Sequence, residues 1–299
     1  MRAASRCGLQ PVTEVLANGV RLHVQRLPPP PGVPRSGKTI VLLHGLIVDD
    51  LSSYYFTLAN PLAAAGHDVV LYDLRGHGHS ERPLTGYSLN DGIADLEGLL
   101  TALAIHEPVH LVGNSYGGAI AIGMAVKHPD RVADVTMIEG HYADDSFGEE
   151  MTETLRLVVQ GIQDEKWRTW LAERGRKTMK LARRGVTLIE DTSIERDLFA
   201  TVPHPPAALR ALQIPILAVY GGASEMLERA RKLERLVAGM RLIVLPDLDH
   251  RVLFNTAPYL CQVLLWWYTG RRGEPPSWVP PEIPFEPAPL SRAMLPGQP

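Results

Sequence analysis

Between Thr39 and Tyr268, short apolar and β-branched runs alternate with longer stretches whose apolar residues recur at helical spacing. The runs TIVLLHG (39–45), DVVLYD (68–73) and HLVGNS (110–115) are separated or followed by amphipathic segments over 53–65, 89–104 and 117–127. That β-α-β alternation predicts an α/β chain with a mostly parallel central sheet and helices on both faces. The rhythm continues through VADVTMIEG (132–140) and stops. It resumes with IPILAVYGG (214–222), a helix over 225–237, MRLIVLP (240–246) and a last helix ending at Trp266, Trp267 and Tyr268.

The interruptions set the expected organisation. Residues 1–38 read as two leading strands, 12–16 and 21–25, followed by a linker whose five prolines exclude both helix and central strand. Residues 39–140 and 206–269 form the core. Residues 141–205, with MTETLRLVVQGI (151–162) and KWRTWLAERGRKTMKLARRG (166–185), read as two or three amphipathic helices inserted as a lid. Their basic outer face is expected to be a solvated helix surface, with docking of an acidic carrier protein as the rival reading. The proline-rich tail, 270–299, lacks apolar periodicity and is expected to be extended or disordered.

Composition removes several function classes. The 299 residues are 45% hydrophobic and 21% charged with a formal net charge of −3 and no block of like charge, so neither nucleic acid nor a membrane surface is an expected partner. Cys7 and Cys261 lie too far apart in kind and place to suggest a metal knuckle or a disulfide framework, and the leading residues lack the apolar run of a signal segment. A cytoplasmic protein is expected. Oligomeric state is not legible.

The strongest chemical signal is HLVGNSYGGAIAIGMA (110–125), an apolar strand running through Gly113-Asn114-Ser115-Tyr116-Gly117 into a helix of small residues. A serine at the tip of a strand-to-helix turn, with glycine two places before and after it, is a nucleophile elbow. The helix start brings backbone N–H groups to the same place. The loop after TIVLLHG should supply the other half of an oxyanion hole, so the N–H groups of Leu46 and Tyr116 are assigned to it, with His44 ordering the loop. His250, in the loop after MRLIVLP, occupies the position expected of the general base.

Together with the segment YDLRGHGHS (72–80) and the turn at His44-Gly45, these features resemble the α/β-hydrolase superfamily over roughly residues 39–268. The chain looks especially like its single-domain serine hydrolases with a helical lid, which implies the α/β-hydrolase fold, a Ser-acid-His triad and neither metal nor organic cofactor. Dehalogenases and epoxide hydrolases of that group use an aspartate where this chain has Ser115. The GNSYGG elbow is similar to that of carbon-carbon hydrolases acting on ring-fission diketones. Those, however, carry an aspartate after the penultimate strand, where this chain has Ser224. Two carboxylates remain for the triad. Glu225 stands one residue past the usual place, and Glu139 ends the strand after the elbow helix, where some members of the superfamily carry their acid. Glu139 is preferred, because an acid lost at Ser224 is most simply explained by its having moved to the earlier strand. That pattern resembles thioesterases releasing polyketide or polyether chains. The expected activity is therefore hydrolysis of a small-molecule or carrier-bound ester or thioester through an acyl-enzyme. The rivals are a carbon-carbon hydrolase and a non-catalytic binding protein of the same fold.

Overall fold

A computed structural model of the chain describes residues 13–173, 175–270 and 274–280. The expected strand residue Val12, Cys7, the leading residues and most of the tail lie outside the described residues. Eight strands form one sheet in the order β1-β2-β4-β3-β5-β6-β7-β8. They are β1 (Thr13–Ala17), β2 (Val20–Leu27), β3 (Thr39–Leu43), β4 (Asp68–Tyr72), β5 (Val109–Asn114), β6 (Val132–Ile138), β7 (Ile216–Gly221) and β8 (Arg241–Leu245). From β4 to β8 every neighbouring pair is parallel, while β1 and β2 join antiparallel at one edge, with Val24 opposite Tyr72. The leading strands are thus part of the main sheet rather than an appendage to it.

Period-two alternation divides the sheet's side chains between two cores. Val41, Leu43, Val70, Tyr72, Val109 and Leu111 face one apolar layer, and Ile40, Leu42, Val69, Leu71 and Val112 face the other. Helices α3 (Leu89–Ala102) and α4 (Tyr116–Lys127) cover the first. The N-terminus of α3 is closed by a capping box, Ser88 accepting from the Asp91 N–H while the Asp91 carboxylate accepts from the Ser88 N–H, which stabilises it by about 1 kcal/mol.

The second face is covered by an irregular helix and by α12 (Ala257–Tyr268), preceded by the short α11 (Val252–Asn255). The single helix expected over 53–65 is instead α1 (Ser52–Tyr54), a π-helical turn (Tyr55–Ala59) and α2 (Asn60–Ala64). Pro61 lacks the N–H that would continue an α ladder, and Asn60 Nδ2 donates to the Tyr55 carbonyl at 2.7 Å instead.

Between β6 and β7 the chain leaves the sheet for five helices: α5 (Phe147–Gln163), α6 (Glu165–Glu173), α7 (Arg176–Asp191), α8 (Ile194–Phe199) and α9 (Pro206–Arg210). The basic stretch read as one unit over 166–185 is broken. Gly175 takes φ +98°, a conformation that ends α6 and that a residue with a Cβ rarely adopts. Helix α10 (Leu227–Leu236) then links β7 to β8, starting two residues later than the expected 225. Of the tail, the described stretch 274–280 is extended and packs back: Trp278 meets Tyr259 edge-on at 5.1 Å, and the Tyr259 hydroxyl donates to the Pro276 carbonyl. No helix among the described residues is long and apolar enough to cross a membrane.

Candidate active site

The carboxyl ends of β5, β6, β7 and β8 bring together Ser115, Glu139, Ser224 and His250, residues up to 135 positions apart. Ser115 closes β5 with φ 51° and ψ −117° before α4 begins. That strained backbone, costing on the order of 1–3 kcal/mol, lifts the side chain off the end of the sheet. It survives because the turn has no room to relax. A Cβ on Gly117 would fall 2.1 Å from the Leu43 carbonyl oxygen, and one on Gly113 would fall 2.3 Å from that of Gly117. Gly117→Ala should accordingly lose about 3 kcal/mol of unfolding free energy in a denaturant titration; a loss below about 1 kcal/mol would show the turn to be loose.

Ser115 Oγ lies 3.1 Å from His250 Nε2, and His250 Nδ1 lies 3.2 Å from Glu139 Oε2. In this chain of contacts Nδ1 donates to the carboxylate and Nε2 is left to accept from the hydroxyl. Glu139 is wholly buried at the end of β6, with its own φ at 50°. Its two oxygens take hydrogen bonds from the Gly221 N–H and the Ser224 hydroxyl, which compensate its desolvation. Burial opposes the charged form of His250. The hydrogen bond and charge of Glu139, helped by Glu225 and Asp249 further off, outweigh it and hold the imidazole pKa above its ordinary value.

The alternative acid is placed differently. Glu225 is exposed, and no hydrogen bond joins it to His250 among the described residues. Ser224, at the position where an acid was expected, has become a partner of Glu139; its Oγ also accepts from the Met226 N–H at 3.1 Å. The sequence offered no sign of that role beyond the missing carboxylate.

The loop after β3 lies against Ser115, with the Gly45 Cβ position 3.5 Å from Ser115 Cβ. Its N–H groups are allocated one by one. That of Gly45 goes to Asp49 Oδ2 at 2.7 Å and that of Ile47 to His77 Nε2 at 2.8 Å. The intervening Leu46 N–H has no partner among the described residues, and Tyr116 begins α4, where helical N–H groups are unpaired. Two N–H groups on segments adjoining Ser115 are therefore left unallocated. His44 bridges loops, donating from Nδ1 to the Gly45 carbonyl and accepting the Leu74 N–H at Nε2. Leu46 and Tyr116 also line a narrow, partly open cavity with Leu74, Tyr87 and Ile120.

Asp49 and His77 were not singled out from the sequence, and His77 has a measurable consequence. Burial, with His44 beside it, pushes its pKa down to about 3 from an ordinary 6.5. Below about pH 6.5 the unfolded chain therefore binds a proton that the folded one refuses. The stability contributed by neutral His77 is complete above that pH and is lost by up to about 1.4 kcal/mol per pH unit as pH falls towards 3. His77→Gln should flatten the acid limb of the stability curve by about one proton. An unchanged slope would remove His77 from the account.

Comparisons agree with this architecture. A model described as the alpha/beta hydrolase fold matches residues 38–180. Among curated proteins, a 2-hydroxymuconate semialdehyde hydrolase from Pseudomonas sp. (strain CF600) is 31% identical over 126 residues, 42% of this chain and 42% of that protein. The curated relatives are matched over about a quarter to a half of their own length. Among solved structures, a carboxylesterase from Bacillus subtilis shares 18% identity with a TM-score of 0.69, covering 87% of this chain and 91% of that one. An enol-lactonase from Burkholderia xenovorans LB400 shares 21% with a TM-score of 0.65, covering 86% and 100%. At those identities the structures report on the fold. With the parallel sheet, the match over residues 38–180 and these neighbours in agreement, the chain has the α/β-hydrolase fold.

Proposed function

We propose that the chain is a serine hydrolase that cleaves a carboxylic ester or thioester through a covalent acyl-enzyme at Ser115. The observation that carries this is the continuous contact from Ser115 Oγ to His250 Nε2 at 3.1 Å and from His250 Nδ1 to Glu139 at 3.2 Å. In the acylation step His250 takes the Ser115 proton as Oγ bonds the substrate carbonyl carbon. Glu139 holds the ring in the required tautomer and stabilises the imidazolium. The N–H groups of Leu46 and Tyr116 receive the negative charge that develops on the carbonyl oxygen. As the tetrahedral adduct collapses, His250 returns that proton to the departing alcohol or thiol. Water, deprotonated by the same imidazole, then attacks the acyl-enzyme and restores Ser115. Helices α5–α8 act as a lid over this site, and the substrate is a small molecule or an acyl group delivered on a carrier.

The second reading is a carbon-carbon hydrolase of diketones. It is favoured by the GNSYGG turn and by the semialdehyde hydrolase among the relatives, and it uses the same nucleophile on a ketone. The narrower form of the first reading, release of a polyketide-type chain, is favoured by the acid standing after β6. Labelling with a fluorophosphonate, followed by turnover of short nitrophenyl esters, long-chain acyl thioesters and vinylogous diketones, separates them. Mass added to the Ser115 peptide is expected, with ester or thioester turnover exceeding that of the diketone. A folded protein that takes no label would be a binding module.

A further inference from the structure

The backbone after β3 is bent in a way that its own residues do not favour. Ile47 takes φ 68°, and across it the Val48 N–H donates to the Leu46 carbonyl at 2.9 Å. A hydrogen bond spanning one residue of positive φ is the rare, strained form of the γ-turn. A β-branched side chain is poorly suited to its centre, so groups outside the turn must hold it.

Two do. From the loop after β4, His77 Nε2 accepts the Ile47 N–H at 2.8 Å while its Nδ1 donates to the Arg75 carbonyl at 2.9 Å. From the inserted helices, α7 lays Leu181, Gly185 and Leu188, which share one helical face, along a narrow crevice lined also by Ile47, Gly76 and His77. A Cβ on Gly185 would fall 2.3 Å from Ile47 Cγ2 and 3.4 Å from the Ile47 carbonyl oxygen. The missing side chain therefore lets the α7 backbone sit on the turn, and Ile47 is left 3% exposed. Arg184 Nη1 secures α7 to the neighbouring loop, donating to the Gly78 carbonyl at 3.1 Å.

The residue before Ile47 is Leu46, whose N–H is one of the two assigned to the oxyanion. The peptide carrying that N–H has its carbonyl, that of Gly45, held by His44 Nδ1 at 2.7 Å. The next peptide is held at both ends, its carbonyl by the Val48 N–H and its own N–H by His77. We propose that Ile47 and Gly185 are positioning residues: the seating of α7 on Ile47 keeps the strained turn, and with it the Leu46 N–H, aimed at the developing oxyanion, so that turnover requires α7 to be docked. This rests on the acyl-enzyme at Ser115 and deepens that reading. The effect falls on charge that develops during reaction, and therefore on kcat rather than on KM.

The test measures kcat and KM on para-nitrophenyl butanoate, together with inhibition by 1,1,1-trifluoro-2-heptanone, whose carbonyl carbon Ser115 Oγ attacks to give an anionic hemiketal. Thermal melts accompany each variant. G185A should lower kcat about thirtyfold, less than the loss of a whole oxyanion donor, with KM changed less than about threefold and the ketone weakened in proportion to kcat. I47G reaches positive φ unaided and removes the obstructing Cγ2; it should cost about threefold by itself and leave G185A with no further effect. A G185A loss that persists in G185A/I47G, that falls on KM alone, or that spares the ketone would overturn the proposal, as would full activity in G185A. Where G185A melts below the assay temperature, R184A takes its place, loosening α7 without adding atoms at the turn. A loss of about threefold that vanishes in R184A/I47G supports the proposal, and no loss, or equal loss on both backgrounds, overturns it. Failure of the nucleophile reading looks different: wild-type Ser115 takes no fluorophosphonate label, or S115A keeps turnover, and this inference falls with it.

Discussion

Ser115→Ala is expected to lower kcat on any ester substrate by about ten-thousandfold or more, with KM little changed, and to abolish fluorophosphonate labelling. On the proposed mechanism the missing hydroxyl takes with it the covalent route, and what survives is the stabilisation that the Leu46 and Tyr116 N–H groups give to attack by water. On the proposed mechanism Ser115 and His250 act as one unit across their 3.1 Å contact, so His250→Ala should cost about as much, and the double variant scarcely more than either alone. Losses that multiply in the double variant would show two independent contributions and defeat the triad reading. Retention of a tenth of wild-type activity in S115A would do the same.

Glu139→Gln should lower kcat by about a thousandfold to ten-thousandfold, whereas Glu225→Gln should stay within a few-fold of wild type. The asymmetry follows from position: Glu139 is wholly buried and meets Nδ1 at 3.2 Å, while Glu225 is exposed and acts on the imidazole only through its charge. The two variants also differ in pH dependence. His250 must be neutral to accept a proton, so activity rises with pH through a pKa held above the ordinary imidazole value of 6.5. Removing the Glu139 charge leaves desolvation to dominate, and the acidic limb should move to lower pH. The Glu225→Gln limb should move in the same direction by much less. If E225Q alone collapses turnover, the acid has been assigned to the wrong strand.

Much of the architecture was legible in the chain because it rests on periodicity and local stereochemistry. Alternating side chains along Thr39–Leu43 and Asp68–Tyr72 fill two different apolar layers, and that two-residue period is visible in the sequence. The elbow was legible for a similar reason: Gly113 and Gly117 sit where a Cβ would strike backbone atoms, so glycine spacing alone marks the turn. The π-helical turn before Pro61 and the break at Gly175 blurred within longer amphipathic stretches, since apolar spacing tolerates a local change of helical pitch.

What remained open concerned which distant side chains meet. The residues alone left two carboxylates for His250, because chain order constrains the acid to a loop at the carboxyl end of the sheet and both qualify. Only the packing of β6 against β7, which aims the Gly221 N–H and the Ser224 hydroxyl at Glu139 and leaves Glu225 at the surface, distinguishes them. The allocation of the Gly45 and Ile47 N–H groups to Asp49 and His77, and the seating of Gly185 on Ile47, were likewise invisible in the chain. Strand and helix patterns are carried by neighbours a few residues apart and can be read in one dimension. Hydrogen bonds across 80 or more positions exist only once the sheet has closed the distance.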